Sequence, residues 1–261
     1  MRFDVITLFP ELFAPFLSSG INRRAFESGA VELKLWQLRD YADGTYRRVD
    51  DRPFGGGPGM VMLAEPLEKC LLAIREDRAA QSPNQPKVPT VLFSPIGQTL
   101  NHAGVESWSQ SDGAILICGR YEGLDQRFID AHVDVQISLG DFVLSGGEIA
   151  AIALLDAVAR LQPGVLNDEG SHQMDSFNPA LDGLLDCGHY TRPEAWHDER
   201  VPPILMSGHH ADIAKWRRQQ SLALTQTHRP DLIESARALG KLSAKDEHFL
   251  RHLTSGGTSL A

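Results

Sequence analysis

Three glycine-bearing loops carry the residue types from which a small-ligand site can be built. They are residues 55–59 (GGGPG), 119–123 (GRYEG) and 140–147 (GDFVLSGG). Glycine tolerates positive φ and has no Cβ, so backbone N–H and C=O groups in such loops can contact a ligand directly. A tight turn is the simpler interpretation of any one loop. For two such loops after neighbouring strands, a ligand site has at least equal support, because α/β folds place ligands at strand ends.

The sequence lacks the common phosphate-binding motifs. It contains no GxxxxGK[ST], which marks P-loop nucleotidases, and no GxGxxG after an apolar run, which marks dinucleotide-binding folds. The first apolar run continues into Pro10 and Glu11, where a doubly wound nucleotide-binding fold usually places glycines. These absences favour a ligand that presents no phosphate to the loops.

Short apolar runs alternate with helix-like stretches in the first part of the chain. The runs are rich in Val, Ile and Leu and predict strands at residues 3–9, 31–36, 91–93, 114–118 and 133–137. Helices are predicted at residues 65–78, 101–109 and 147–161, and a flexible surface loop at the polar residues 79–89. This alternation is typical of an α/β fold with a mainly parallel sheet.

A change in composition divides the chain. Residues 162–180 (QPGVLNDEGSHQMDSFNPA) lose hydrophobic periodicity and gather Pro, Gly, Asn, Asp and Ser, as is typical of a flexible interdomain linker. We therefore predict a first domain over residues 1–161 and a second over residues 181–261. Helices are predicted in the second domain at residues 211–225, from Pro230 and Asp231 onward, and at 244–253, so this smaller domain is expected to be mainly helical.

Composition and cysteine spacing indicate the protein class. The chain has 261 residues, of which 42% are hydrophobic and 23% charged, as in globular proteins with their own core. Cys70, Cys118 and Cys187 lie far apart and outside any CxxC pair, which predicts reduced, partly buried thiols and no zinc site. No apolar run approaches the roughly 20 residues of a membrane helix, and MRFDVITLFPELF lacks signal-peptide features. We expect a cytoplasmic protein with no membrane partner.

The net charge of −9 disfavours a broad electrostatic contact with nucleic acid, so any RNA site must be a local patch. One candidate patch is residues 208–229, where a single acid, Asp212, accompanies the basic residues His209, His210, Lys215, Arg217, Arg218, His228 and Arg229. Two interpretations stay open: phosphate contacts, or a solvated helix face with Trp216 in the core. A second basic surface is formed by Arg23, Arg24, Arg47, Arg48 and Arg52.

Four longer strings give the chain a family resemblance. They are VDDRPFGGGPGM (residues 49–60), CGRYEGLDQR (118–127), SLGDFVLSGGE (138–148) and GLLDCGHYTRPE (183–194). In order and spacing they closely resemble the bacterial tRNA (guanine(37)-N1)-methyltransferases, from Phe3 to about Ser221. The resemblance implies a SPOUT-type domain, knotted as a deep trefoil around bound S-adenosylmethionine, and a smaller C-terminal domain that binds tRNA. It further implies homodimers with active sites between the subunits, and methyl transfer to N1 of guanine 37, next to the anticodon.

The same resemblance implies a set of cofactor-binding residues. They are Pro95, Gly119, Tyr121, Glu122, Leu139, Gly140, Asp141, Phe142, Val143, Leu144, Gly146 and Gly147. These positions fall in the second and third glycine loops and at the end of the run at residues 91–93. An apolar slot with backbone groups at its rim suits an adenine ring and a donor that carries its methyl group on sulfur.

By resemblance, the catalytic pair is Arg160 and Asp175. Methylation of guanine N1 requires a base for the N1 proton and a cation for the charge that develops on O6; we assign Asp175 to the first role and Arg160 to the second. The resemblance places the base on the partner subunit, and we expect tRNA to order the linker that carries it. It also implies magnesium, for which the sequence indicates no ligands. Without the resemblance, Arg160 is explained as a cation that favours a helix C-terminus, and Asp175 is explained as an N-cap in the linker.

Two competing hypotheses remain. A SPOUT-type enzyme that methylates another RNA base or a ribose hydroxyl fits the glycine loops, but the pairing of Arg160 with Asp175 argues against it. A non-enzymatic RNA-binding module fits the basic stretch, but it leaves two glycine loops without a ligand.

Overall fold

The computed structural model describes residues 1–83, 86–166 and 171–255, and the chain divides into two compact units. Unit 1 is Met1–Asn167 and unit 2 is Asp168–Ala261. Of the residues predicted to form a linker, 167–170 lie outside the described residues. Within the described ranges, no helix combines the length and the apolar character needed to cross a membrane.

Unit 1 consists of a central sheet with helices on both faces. Its strands are β1 (Arg2–Thr7), β2 (Glu32–Gln37), β3 (Asp50–Asp51), β4 (Val61–Met62), β5 (Thr90–Thr99), β6 (Gly113–Ile117) and β7 (Val135–Ser138). Its helices are α1 (Ala14–Ser18), α2 (Gly20–Glu27), α3 (Ala64–Gln81), α4 (His102–Ser109), α5 (Gln126–His132) and α6 (Glu148–Ala159). Five strands form one sheet in the order β2-β1-β6-β5-β7, and each neighbouring pair is parallel.

The α/β prediction is confirmed, because the five apolar runs of the sequence are the five strands of this parallel sheet. Every residue of the inner strand β6 is buried, and burial on both faces explains why its sequence is continuously apolar. On one face Val5 of β1 belongs to an apolar cluster with Leu154 of α6. On the other face Ile6 belongs to a cluster with Leu71 of α3. Successive β1 residues therefore contribute to opposite cores, as a period of two requires.

Helix α3 is longer than the sequence predicts. It continues to Gln81, so the first three residues of the predicted loop at 79–89 are helical. The last turn is held by side-chain contacts with β1: Arg2 Nη1 donates to Gln81 Oε1 at 2.7 Å, and Arg78 Nε donates to Asp4 Oδ2 at 2.6 Å. Tertiary contacts thus outweigh the polar composition of this turn. Residues 84 and 85 lie outside the described residues.

The contacts of Asp4 form a buried polar network at the amino end of β1. The Asp4 side chain is fully buried and accepts hydrogen bonds from Arg2 Nη2 at 2.6 Å, Trp36 Nε1 at 2.8 Å and Arg78 Nε at 2.6 Å. Asp77 extends the network, accepting from Arg2 Nη2 and Lys34 Nζ at 2.7 Å each. These contacts join β1, β2 and α3, and they supply the partners that a buried carboxylate requires.

Unit 2 is mainly helical in its second half. Its elements are a short hairpin of β8 (Ala195–Trp196) and β9 (Glu199–Arg200), then α7 (His210–His228), α8 (Pro230–Ala238) and α9 (Ala244–Ser255). Its core contains Leu184, Leu222, Ile233 and Leu250. Pro230 is the first residue of α8, where its missing N–H costs no hydrogen bond.

A capping box begins α9. Ser243 Oγ accepts from the backbone N–H of Asp246 at 3.2 Å, and Asp246 Oδ2 accepts from the backbone N–H of Ser243 at 2.9 Å. Arg218 of α7 connects this helix to the preceding chain, because its Nη2 lies 3.1 Å from Asp246 Oδ2 and 2.8 Å from Asp182 Oδ2. Arg218 therefore links Asp182 and Asp246 within unit 2.

All three cysteines are free and buried. The sequence predicts only partial burial, whereas Cys70 and Cys118 are fully buried in the two cores of unit 1. Burial raises the pKa of the Cys70 thiol to about 12, with Asp4 and Asp40 adding to the effect. These thiols are neutral at physiological pH and serve as core side chains.

Candidate active site

A pocket lies at the carboxyl ends of the three neighbouring strands β5, β6 and β7. Its volume is about 420 Å³, which is within the usual range for small-molecule sites. Its walls come from residues 92–96, the loop after β6 and the loop between β7 and α6. Because the strands are parallel, their carboxyl ends meet at one edge of the sheet, which brings distant loops together.

Eleven of the twelve residues assigned to cofactor binding line this pocket. They are Pro95, Gly119, Tyr121, Glu122, Leu139, Gly140, Phe142, Val143, Leu144, Gly146 and Gly147. The twelfth, Asp141, is exposed and lies outside the lining. The Phe142 N–H donates to Gly140 O at 2.9 Å, which makes a tight turn with Asp141 at its tip. Because Asp141 lies at the tip of this turn, it is the one assigned residue that does not line the pocket.

A long bulge in β5 brings Pro95 into the pocket. Phe93 and Gln98 both pair with Ile137 of β7, so the four residues between them leave the ladder. Gly97 lies against the β7 backbone, where a Cβ would come within 2.5 Å of the Gln136 carbonyl carbon. Glycine at this position therefore allows β5 to return to β7 after the bulge.

The glycine loops approach each other closely. A Cβ on Gly147 would lie 2.8 Å from Cys118 Cα, and the Gly147 N–H donates to Gly119 O at 2.9 Å. Tyr121 adopts φ of +61°, a left-handed conformation that is uncommon for a non-glycine residue and is typical of functional loops. The two loops therefore form one rigid cradle, which any side chain at position 147 would disturb.

A second pocket of about 380 Å³ adjoins the first. It shares with the first pocket a wall of five residues, Arg120, Tyr121, Glu122, Leu144 and Ser145. Its other walls are Phe9, Gly59 and Met60, so the glycine loop at residues 55–59 also contributes. The Glu122 side chain packs on Gly59 in the space that a Cβ would occupy. Sequence reasoning assigned no role to Phe9, Met60 or Arg120.

Behind the shared wall, the buried side chains of Thr7 and Glu148 contact each other, and Glu148 contacts Arg120 of the wall. Glu148 is 1% exposed; its Oε1 accepts from Thr7 Oγ1 at 2.9 Å, and its Oε2 lies 2.9 Å from Arg120 Nε. The sequence motif SGGE includes Glu148, but nothing in the motif indicates that its carboxylate contacts Thr7 and Arg120. A charged residue directly after two glycines, at the start of a largely apolar helix, was the available signal.

Arg160 lines neither pocket. It is the C-cap of α6, whose first residue Glu148 lies beside the pockets. At 1.5 Å per residue, the twelve residues of α6 separate the two ends by roughly 18 Å. A pocket and the Arg160 of the same chain are thus at opposite ends of one helix.

Asp175 lies in unit 2, in a turn between two short 3₁₀ helices, Ser171–Met174 and Pro179–Leu181. The buried Asn178 organises this turn. Its Nδ2 donates to His172 O at 3.1 Å, and its backbone N–H donates to Asp175 O at 3.2 Å. Asp175 is half-buried, and the residue that caps the second of these helices is Asn178.

No three His, Cys, Asp or Glu side chains within the described ranges cluster as metal ligands would. Magnesium in enzymes often binds one or two carboxylates together with phosphate groups of the substrate, so a preformed cage is not a requirement for it.

A family model and several relatives that are similar to this chain carry the same kind of name. The family model for "tRNA (Guanine-1)-methyltransferase TrmD" matches residues 1–235. Three relatives, each named tRNA (guanine-N(1)-)-methyltransferase, are similar over nearly their whole length. The protein from Polaromonas sp. is 73% identical, over 97% of this chain and 97% of its own. Those from Albidiferax ferrireducens and Bordetella pertussis are 70% and 54% identical, over 96% and 97% of this chain and 98% of each relative.

Proposed function

The chain belongs to the tRNA (guanine-1)-methyltransferase family, and on this premise we propose that it transfers a methyl group from S-adenosylmethionine to N1 of guanine 37 in tRNA. The observation that carries the proposal is the convergence of three segments on one pocket: the β5 bulge, the loop after β6 and the loop between β7 and α6. The pocket combines apolar side chains with close-packed glycine backbone, which suits an adenosine.

The pocket residues account for how the donor would be held. Leu139, Leu144 and Phe142 supply apolar surface for the adenine ring, and Gly119 and Gly147 allow the backbone to approach it. Ser138 fixes the loop, since its Oγ accepts from Gly140 N at 3.1 Å and donates to Gly140 O at 3.3 Å. The bound donor supplies an electrophilic methyl group on sulfur.

Asp175 is the general base in this proposal, and Arg160 stabilises the charge that develops on the guanine. Asp175 accepts the N1 proton, and Arg160 donates hydrogen bonds to O6, where negative charge develops as the proton leaves. A guanidinium is suited to this role because it stays protonated and its donors have a fixed geometry. The buried Asn178 holds the turn that presents Asp175.

A homodimer completes the site in this proposal. The separation of roughly 18 Å along α6 supports a site assembled from two copies, because an Arg160 side chain cannot span it. Apolar side chains exposed near the pocket, Ile96, Val143 and Ile149, supply surface for such contact. The proposal also includes the deep trefoil knot, residues 162–180 as the segment that connects the two domains, and a cytoplasmic location. Magnesium dependence is included too, with no mechanistic step routed through the ion.

The proposed function is tested with unmodified tRNA transcripts. We expect methyl transfer from labelled donor to transcripts with guanine at position 37, and none to transcripts with adenine there. Mass spectrometry of nuclease fragments should locate the methyl group on N1 of that guanine. Methylation of a different base or of a ribose would support the rival SPOUT-type enzyme. Failure to take up the donor in calorimetry would support the RNA-binding module.

Two basic residues of α7 are expected to contact tRNA phosphates. Lys215 and Arg217 are exposed, whereas the adjacent Arg218 is paired with Asp246 and Asp182 inside unit 2. Substituting alanine for either exposed residue should weaken tRNA binding and lower the slope of log affinity against log salt by about 1. Filter binding at several salt concentrations measures this slope.

Arg218→Ala is the matched control for these substitutions. It should lower the thermal stability of unit 2, because it leaves Asp246 without its cation. An unchanged salt slope in both Lys215→Ala and Arg217→Ala would remove α7 from the proposed RNA surface.

A further inference from the structure

A continuous set of contacts surrounds the wall between the two pockets. The Phe9 N–H donates to Thr7 Oγ1 at 2.9 Å, and Thr7 Oγ1 donates to Glu148 Oε1 at 2.9 Å. The other carboxylate oxygen of Glu148 lies 2.9 Å from Arg120 Nε. Arg120 Nη1 donates to Ser145 O at 3.2 Å, and the guanidinium lies 4.4 Å from the centre of the Phe9 ring. The contacts thus begin and end at Phe9.

This circuit connects three separate parts of unit 1. Thr7 ends β1, Arg120 belongs to the loop after β6, and Glu148 begins α6. Two of its directly bonded members, Thr7 and Glu148, are 141 positions apart in the sequence. Arg120 and Ser145 line both pockets, so the circuit fixes the surface that a donor and an acceptor would share.

The pair of Arg120 and Glu148 depends on its charges more than on well-aligned hydrogen bonds. Arg120 Nε and Glu148 Oε2 are in ion-pair contact, yet both are buried and neither makes a hydrogen bond of good geometry within the described residues. A buried polar atom without a well-aligned hydrogen bond calls for an explanation, and Arg120 of this pair lines both pockets. Neutralising Glu148 would leave a guanidinium beside the pockets without its counter-charge.

Gly146 provides the space for this pair. A Cβ at this position would overlap Arg120 Nε and would come within 2.6 Å of Glu148 Oε2. Gly146 also forms a backbone bridge with Arg120. The glycine that sequence reasoning assigned to the cofactor pocket therefore also allows the buried ion pair to pack against the loop.

From these contacts we propose that Glu148, together with Thr7, is a positioning residue that holds Arg120 and both glycine loops in the geometry required for donor binding and methyl transfer. The proposal rests on the proposed function, because it concerns the same pocket. Glu148 itself is sealed behind the wall and acts through Arg120, Ser145 and the loop backbone.

The test uses the full-length protein and S-adenosylmethionine. Glu148→Gln retains the shape of the side chain and an oxygen for Thr7 but loses the charge, so we expect donor Kd to rise about tenfold. At saturating donor, single-turnover methyl transfer should fall by a similar factor. Calorimetry and rapid quench are done well below the unfolding temperature of each variant. Glu65→Gln, at an exposed surface glutamate, is the matched control and should change neither quantity.

Two substitutions at Thr7 distinguish a loss of positioning from a loss of folding. Thr7→Val keeps the shape of the side chain but removes the hydroxyl, so it should reproduce part of the effect, whereas Thr7→Ser should restore wild-type donor affinity. If Glu148→Gln and Thr7→Val only lower the unfolding temperature and leave donor Kd and transfer rate unchanged, Glu148 has a structural role alone and the proposal is wrong.

These outcomes are separable from a failure of the proposed function. A wild-type protein that does not bind the donor contradicts the proposed function. A wild-type protein that binds donor and methylates guanine 37, accompanied by a Glu148→Gln variant that does both equally well, contradicts only the positioning role.

Discussion

Asp175→Ala is expected to lose methyl transfer by a factor on the order of a thousand while its donor Kd stays unchanged, because a positioned general base contributes about 10²–10⁴ in rate. Asp175 lies in unit 2, whereas the pocket proposed for the donor is formed wholly by unit 1. Donor binding and proton removal are therefore separable functions. Single-turnover kinetics on tRNA and calorimetry with the donor measure the two independently.

The isosteric variant Asp175→Asn serves as the control for local folding. It retains the size of the side chain and should show the same kinetic loss, because an amide cannot accept the N1 proton. A loss of donor affinity in either variant, at unchanged thermal stability, would mean that Asp175 belongs to the cofactor site and has been misassigned.

Mixed dimers test whether Asp175 acts on the pocket of the partner subunit. Gly147→Ala should impair the pocket, since the new Cβ would lie 2.8 Å from Cys118 Cα. Homodimers of Gly147→Ala or of Asp175→Ala should be inactive. A heterodimer of the two, isolated with different tags, should regain one of its two sites, because the intact pocket of one chain meets the intact Asp175 of the other. An inactive, folded heterodimer would place the pocket and its base in the same chain.

The pocket could be predicted from sequence because its residues are local to strand ends. Loops with glycine follow β6 and β7, and the carboxyl ends of parallel strands lie at one edge of a sheet. The strands were predictable from their short apolar runs, which in the inner strand β6 lack alternation because both faces are buried. Boundaries were less accurate where tertiary contacts decided them, as for the last turn of α3.

Contacts between distant residues could not be predicted. Thr7 and Glu148 are 141 positions apart, and neither neighbourhood contains a pattern that names the other. The basic stretch of unit 2 shows a related difficulty, because the sequence lists the charges of Arg217 and Arg218 without their partners. Only the structure distinguishes Arg217, which is exposed, from Arg218, which is paired with two carboxylates.

Asp4→Asn is expected to reduce the free energy of unfolding by about 3–5 kcal/mol, the usual consequence of removing one charge from a buried ion pair. Asp4 is fully buried and accepts hydrogen bonds from Arg2, Trp36 and Arg78. The substitution leaves the Arg78 guanidinium, whose side chain is 13% exposed, without its counter-charge. Urea unfolding followed by circular dichroism measures the change, and an unaltered m-value would show that the compactness of both states is retained.

Asp77→Asn is the matched control, because Asp77 belongs to the same network but its side chain is 26% exposed. Solvent screens its contacts with Lys34 and Arg2, so the loss should be smaller than for Asp4. Hydrogen bonds from Lys34 and Arg2 lower the pKa of Asp77. Its contribution is therefore present above the unfolded-state pKa and is lost as pH falls through the folded-state pKa, so the difference from wild type should shrink in acid. Equal losses for Asp4→Asn and Asp77→Asn at neutral pH would show that burial does not set the strength of this network.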